Sequence, residues 1–349
     1  MNLPSPGLFG LYNTNRDFTK KESWGKNQFN SSFPAALCCY LASRDLDAVF
    51  LALNNGAIHP KSISIQEVFG IRPDDPDVYF AFEAQHTPYQ KYVVDSLPRT
   101  DLVTQRQSSG ECLSGLEVKL TALPDNTTCE SREELYGSEI VIRPDTIVYL
   151  ACSIASALSS ELGDILPTIN VLDWREGRNV IDKIDVIVDA LDKTISRLEY
   201  SQTAFLIQPI WKTIGKNPEL ANNCLDVFVW SNAGFTKFIT NISKNASEST
   251  SISRQVRTVI WLYRMLHDIK EHKKFDHERI IDELSYNTKN DKAFASSGAV
   301  THRYMACDRL VKPIVTKDQL KEIILGGGQN LLSPERRFDA IIFNSPGLF

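Results

Sequence analysis

The chain has 349 residues, of which 42% are apolar and 23% charged, which is the composition of a globular protein with one large domain or two. No apolar run is long enough to span a membrane, and the first residues lack the basic and apolar regions of a signal peptide. We therefore expect no membrane partner. The seven cysteines are odd in number and include no Cys-x-x-Cys pair, which favours free thiols in a reducing cytoplasm over a zinc site or a disulfide framework.

The charge is unevenly distributed along the chain. The net charge is −5, yet residues 251–349 contain 16 Lys and Arg against 12 Asp and Glu. A protein that binds nucleic acid can be acidic overall, because only its binding groove must be basic. The charge profile therefore permits DNA binding without predicting it.

The first predicted elements are one helix and three short strands. The helix begins near residue 34 and ends near residue 43. Strand-like patterns follow at 49–53, 62–68 and 78–84, and the last of these contains Glu83.

A β-hairpin with three charged residues follows. Two apolar runs flank a polar turn at 108–110, which reads Ser-Ser-Gly. Folding the chain about position 109 places Asp101 opposite Glu117. Because strand side chains alternate, Glu117 and Lys119 share one face and their apolar neighbours take the other.

Two carboxylates and one ammonium group are thus predicted to converge at one point. Carboxylate oxygens suit Mg²⁺, which keeps several waters for its substrate side. Lys119 could activate a water or steady a phosphate. This set of two acids and one lysine is typical of metal-dependent nucleases with the PD-(D/E)xK core. The alternative is a surface hairpin with a cross-strand salt bridge, which is common. The apolar residues beside Glu117 favour the functional interpretation, because a buried Glu and Lys on one face need a reason.

Beyond the hairpin, a strand at 139–142 precedes a helix with Pro144 near its start and Leu158 near its end. We expect this helix to pack behind the sheet and leave the acidic face open. A second helix is predicted at 179–200, with an apolar seam that suits a partner helix either within the chain or across a dimer. Buried strands are predicted at 204–207 and 225–230.

The last part of the chain is predicted to be mainly helical. A helix at 254–274 has a basic face, which is either solvated or turned toward DNA. A polar loop at 286–302 and a short helix at 316–325 complete the pattern. We interpret residues 1–235 as an N-terminal extension and a nuclease core, and residues 236–349 as a more basic region, continuous with the core and a candidate for DNA binding.

The predicted fold class is therefore α/β, a PD-(D/E)xK restriction-endonuclease-like core in which helices flank a mixed central sheet, with additional helical C-terminal elements. Longer strings carry a more specific resemblance, to the HindVP-type type II restriction endonucleases. These strings are Gly7–Leu11, Trp24–Pro34, Pro98–Asp101, Gly115–Thr128 and Gly137–Pro144.

The resemblance implies a bacterial enzyme that uses Mg²⁺ to cut both strands of a short palindromic DNA site, for this family GRCGYC. By motif match, Asp101 and Glu117 would be metal ligands and Lys119 the catalytic lysine. Glu83 is the candidate for an additional upstream catalytic acid, and Glu22 is the weaker alternative.

A palindromic site calls for a two-fold homodimer and for basic or amide side chains in the major groove. The resemblance also implies a cognate DNA methyltransferase that forms no stable complex with the enzyme. The candidates for DNA contact are Lys26, Asn27, Gln28, Arg254, Arg257, Lys292 and Arg303.

Two other functions remain open from the sequence. One is a repair or recombination nuclease that recognises DNA structure. The other is a DNA-binding protein that has the nuclease fold and no activity, although the intact acid, acid and lysine set argues against it.

Overall fold

The computed structural model describes residues 37–286 apart from 39, 73–74, 120–139, 159–160, 202, 214–219 and 245–250, and also 294–296, 315–316 and 318–319. A mixed sheet with strand order β2-β1-β8-β7-β5-β4-β3 forms the centre, and β10 pairs with β8. A separate ladder joins β6 and β9. The strands are β1 Ala48–Asn54, β2 Ala57–Ile63, β3 Val78–Ala84, β4 Thr100–Arg106, β5 Cys112–Val118, β6 Ile140–Ile142, β7 Ala204–Thr213, β8 Leu220–Ser231, β9 Phe294–Ser296 and β10 Val315–Thr316.

Helices cover both faces of this sheet. The pairs β1–β8 and β5–β7 are parallel, and the other described pairs are antiparallel. A 3₁₀ helix spans Thr87–Tyr92. The α-helices are α1 (37–38 and 40–43), α2 Ile65–Phe69, α3 Pro144–Leu158, α4 Leu162–Ile165, α5 Gly177–Ile181, α6 Ile184–Leu198, α7 Asn232–Ile242, α8 Arg254–His272 and α9 His277–Glu283.

The alternation of strand side chains divides the apolar core into two layers. On one face, Leu206 and Trp230 pack in the cluster that contains α3, α6, α7 and α8. On the other face, Leu116 and Val118 pack in a smaller cluster with α1 and with Phe69 of α2. The mixed sheet and its flanking helices agree with the predicted fold class.

The apolar seam of the helix at 179–200 packs within the chain. Helix α6 contacts α3, α7 and α8, and Val188, Leu191 and Ile195 are buried. The single long helix predicted there is wrong, because α5 ends at Ile181 and α6 begins at Ile184. The break falls at exposed polar residues, where no apolar side chain holds the helix to the core.

Two other predicted elements need correction. The strand predicted at 62–68 ends at Ile63, because Ser64 caps α2 in a reciprocal pair of hydrogen bonds with Glu67. The loop predicted at 286–302 contains β9, which pairs with β6 more than 150 residues earlier in the chain. Such long-range pairing leaves no signal in the local pattern.

The described part of residues 236–349 packs on the core. Helix α7 crosses position 235, and α8 contacts both α3 and α6. The division at 235 and the DNA-binding role of the region after it remain predictions. Among the described residues, no helix combines the length and the apolar character that a membrane crossing requires.

Candidate active site

The β4–β5 hairpin brings the two predicted acids together. Leu102 pairs with Leu116, so the next position in the same antiparallel register places Asp101 opposite Glu117. Lys119 follows the end of β5, and its backbone N–H donates to the carbonyl of Ile207 on β7 at 2.9 Å. The hairpin and its parallel neighbour therefore fix the backbone that carries all three charged residues.

The Lys119 side chain lies against both acids. Its Nζ is 2.8 Å from Oε2 of Glu117 and 3.6 Å from Oδ2 of Asp101. The same Asp101 oxygen accepts a hydrogen bond from the backbone N–H of Val118 at 3.1 Å. The structure thus brings together the three residues that the sequence singled out.

Burial differs sharply between the two acids. The Glu117 side chain is 5% exposed, whereas that of Asp101 is 32% exposed. Burial raises the pKa of Glu117, which the ammonium of Lys119 opposes and the carboxylate of Asp101 reinforces. Burial alone would lower the pKa of Lys119, but the charges of Glu117 and Asp101 outweigh it and raise that pKa. Asp101 therefore forms the side of the cluster that faces solvent.

The prediction that the acidic face stays open is wrong at Glu117, whereas Asp101 on the same face stays partly exposed. Thr146 in the first turn of α3 donates to Oε2 of Glu117 at 3.3 Å, so α3 covers the same face as the acid. The opposite face of β5, with Leu116 and Val118, packs against the smaller core cluster. Helices cover both faces of the sheet, so strand alternation could not show which face α3 covers.

Four residues near the cluster are not predicted from the sequence. Thr100 Oγ1 lies 3.1 Å from Oε1 of Glu117, and Thr146 contacts the other oxygen. Arg143 and Asp145 are exposed, and their charges act on Lys119 and on each other. Thr100 lies within one of the strings that carry the family resemblance and Thr146 lies two residues beyond another, but a threonine beside an acid has no spacing rule that would single it out.

Glu83 lies on β3, next to the hairpin. Ala84 pairs with Thr100 and Phe82 with Leu102, so the register places Glu83 opposite Asp101. Its role as a further acid remains a prediction, and Glu22 lies outside the described residues.

The donor set fits a hard divalent cation. Within the described ranges, no group of three or more His, Cys, Asp or Glu residues is arranged to hold a metal. Mg²⁺ needs no such group, because one or two carboxylates with waters and substrate phosphates commonly bind it. Asp101 and Glu117 supply two carboxylates, and the exposure of Asp101 leaves this side open to water and substrate.

The predicted DNA contacts are only partly described. Lys26, Asn27, Gln28, Lys292 and Arg303 lie outside the described residues. Arg254 begins α8 and is partly exposed. Arg257 is 1% exposed, and its guanidinium stacks 4.4 Å from the ring centre of Trp261. Burial lowers the pKa of Arg257 and leaves it a packing role, so it no longer counts among the DNA-contact candidates.

The mixed sheet and its flanking helices are those of a restriction-endonuclease-like α/β core, and the hairpin places a metal-compatible acid, acid and lysine cluster on it. The chain belongs to the HindVP restriction endonuclease family, whose model matches residues 24–349.

Two curated relatives extend over nearly the whole chain. The chain is 50% identical to the probable type II restriction enzyme HindVP of Haemophilus influenzae, over 100% of this chain and 96% of the relative. It is 43% identical to the type II restriction enzyme HgiDI of Herpetosiphon aurantiacus, over 99% of this chain and 98% of the relative. Type II restriction enzymes are site-specific deoxyribonucleases that act on double-stranded DNA and generally use divalent metal ions. No solved structure matches the chain.

Proposed function

We propose that the protein cuts both strands of the palindrome GRCGYC, with Mg²⁺ as its cofactor. The observation that carries the proposal is the cluster in which Lys119 contacts both Glu117 and Asp101 at the end of one hairpin. Membership in a restriction endonuclease family favours this function over a structure-selective repair nuclease and over a DNA-binding protein without activity. The resemblance to HindVP-type enzymes supports the particular site.

Asp101 and Glu117 are the proposed metal ligands. When bound there, Mg²⁺ would neutralise the charge that develops on the phosphodiester in the transition state. Glu117 holds its carboxylate inside the protein, and Asp101 presents the exposed oxygen donors. Lys119 positions the attacking water, because its side chain contacts both acids. It would accept the water's proton only from its neutral form, since an ammonium has no free lone pair.

Recognition of GRCGYC would follow from the hydrogen-bond pattern of the major groove. The fixed guanines present O6 and N7 acceptors that suit Arg or Lys. The R positions are A or G, and either purine presents an N7 acceptor in the major groove. Arg254 is the described basic candidate, and the other candidates lie outside the described residues. A homodimer would match the two-fold symmetry of the site. A methyltransferase that modifies the same site would protect the host DNA without forming a stable complex with the enzyme.

Digestion of a sequenced plasmid tests this proposal. We expect discrete double-strand breaks with Mg²⁺ at every GRCGYC site, and none with EDTA. A plasmid whose sites each carry one base change is the matched control for sequence, and Asp101→Asn is the control for the protein. Mg²⁺-dependent fragments that map to another palindrome would overturn the site assignment. Cleavage of branched DNA in preference to linear plasmid would overturn the function.

A further inference from the structure

We infer that the hydroxyl groups of Thr100 and Thr146 position the carboxylate of Glu117 for cation binding. The inference rests on the proposed function, in which Glu117 is a metal ligand. It extends the site from the hairpin to α3, because Thr146 lies in the first turn of that helix.

The two hydroxyls contact opposite oxygens of the carboxylate. Thr100 Oγ1 lies 3.1 Å from Oε1, and Thr146 Oγ1 lies 3.3 Å from Oε2. Both threonines are 1% exposed, so water cannot readily replace either contact. A glutamate has three rotatable bonds, and contacts from two sides restrict the orientation that the carboxylate presents to a ligand.

The proton of Thr146 is directed toward Glu117. Thr146 is the third residue of α3, and Arg143 directly precedes the helix. The backbone N–H of Arg143 donates to Thr146 Oγ1 at 3.4 Å, a contact typical of a helix start. Because that contact uses an acceptor site of the hydroxyl, the single hydroxyl proton is available to Oε2 of Glu117. The start of α3 therefore sets the position of this donor.

Thr100 has a choice of acceptors. Its hydroxyl lies 3.1 Å from both the carbonyl of Leu116 and Oε1 of Glu117. An ionised carboxylate is the stronger acceptor, so the hydroxyl favours Glu117 when that group is charged. The contact also links the residue that precedes Asp101 on β4 with the acid on β5, and so ties the two proposed ligands together.

Metal binding in the absence of DNA tests the inference apart from catalysis. Calorimetric titration with Mn²⁺ should show about tenfold weaker binding for Thr146→Val and for Thr100→Val, at the lower end of the roughly 10–100-fold that loss of an outer-shell partner costs. Thr146→Ser and Thr100→Ser keep the hydroxyl and should retain wild-type affinity. The Mg²⁺ concentration for half-maximal plasmid cleavage should rise in the valine variants and not in the serine variants.

Thr194→Val is the matched control. Thr194 is also 1% exposed and donates to the carbonyl of Ala190 within α6, so its substitution removes a buried hydroxyl that does not contact Glu117. Its Mn²⁺ affinity should equal that of the wild type. Thermal unfolding of each variant shows that the protein titrated is folded.

Glu117→Gln separates the two ways in which the idea can fail. If Glu117→Gln loses Mn²⁺ binding while both valine variants bind as the wild type does, the inference is wrong and the proposed function stands. If Glu117→Gln binds Mn²⁺ and cuts DNA as the wild type does, Glu117 is not a ligand, and the ligand assignment fails together with the inference.

Discussion

The ammonium of Lys119 lies 2.8 Å from Oε2 of Glu117, and the two side chains are only 11% and 5% exposed. Each charge is therefore compensated mainly by the other within a nearly dry site. Removing one partner of a buried ion pair leaves an uncompensated charge, whereas replacing both partners removes the need for compensation. This relationship predicts that a second substitution, at the other partner, restores most of the stability that the first one removes.

We expect Lys119→Met to lower the free energy of unfolding at pH 7 by roughly 3–5 kcal/mol, the typical cost of breaking a buried pair. The loss should shrink as the pH is lowered, because the pKa of Glu117 is already raised by burial and protonated Glu117 needs no partner. Glu117→Gln combined with Lys119→Met should recover most of the stability and none of the cleavage. Urea unfolding and plasmid digestion measure the two properties. A double variant as unstable as Lys119→Met would contradict this account.

Asp101→Asn should slow cleavage strongly with little change in stability. Asparagine keeps an oxygen that can accept the hydrogen bond from the Val118 N–H, and the Asp101 side chain is 32% exposed. The loss of a charged metal ligand should lower the rate by roughly three orders of magnitude, the scale that a lost transition-state charge contact commonly shows. Single-turnover cleavage and thermal unfolding check both parts. Asp189→Asn on the exposed side of α6 is the control, and unchanged cleavage by Asp101→Asn would remove Asp101 from the site.

The hairpin was predictable because its signals are local. A turn sequence between two alternating runs sets the register, and the register alone places Asp101 opposite Glu117. The two threonines beside Glu117 were not predictable in the same way. Thr146 reaches the acid through the docking of α3 onto the sheet, which depends on packing between segments 29 residues apart.

The placement of α3 shows why the environment of the site could not be read from the pattern. Leu116 and Val118 indicate one buried face of β5, and the alternation of side chains predicts that the other face is open. In the structure both faces are covered, because α3 also belongs to the larger core cluster. Burial of Glu117 follows from that second layer, and neither composition nor spacing in the hairpin reports it.

Gly115→Ala should destabilise the hairpin that carries the cluster. A Cβ at this position would lie 2.7 Å from Cβ of His86. Both Cβ atoms are bonded directly to the backbone, so neither can rotate away from the other. We expect a loss of roughly 1–3 kcal/mol, the usual cost of an added methyl group in a packed site. Cleavage should fall as well, since Glu117 lies two residues further along β5.

Gly163→Ala is the matched control for that substitution. Its added Cβ would meet nothing within 4 Å, and it lies in the short helix α4. Alanine there should leave stability unchanged or raise it by up to about 1 kcal/mol, the difference in helix propensity between the two residues. Equal effects of the two alanines on the urea midpoint would show that the contact with His86 is not the cause.

His86 should make the protein sensitive to mild acid. Burial lowers the pKa of His86 from its ordinary 6.5 to about 4. Between these pH values the unfolded chain binds more protons than the folded one, so stability falls as the pH drops from 6.5 and the effect is complete near pH 4. The whole contribution is about 3 kcal/mol, at 1.36 kcal/mol for each pH unit.

His86→Phe isolates this contribution. The hydrogen bond from the His86 backbone N–H to the Tyr149 hydroxyl stays in place, and Nδ1 of His86 has no hydrogen-bond partner among the described residues, so phenylalanine loses nothing at that atom. Urea unfolding at pH 7, 5.5 and 4 should show a steeper decline for the wild type than for the variant. Any constant effect of the phenylalanine cancels, because the comparison is between slopes. Parallel declines would show that His86 already binds its proton at its ordinary pKa in the folded protein.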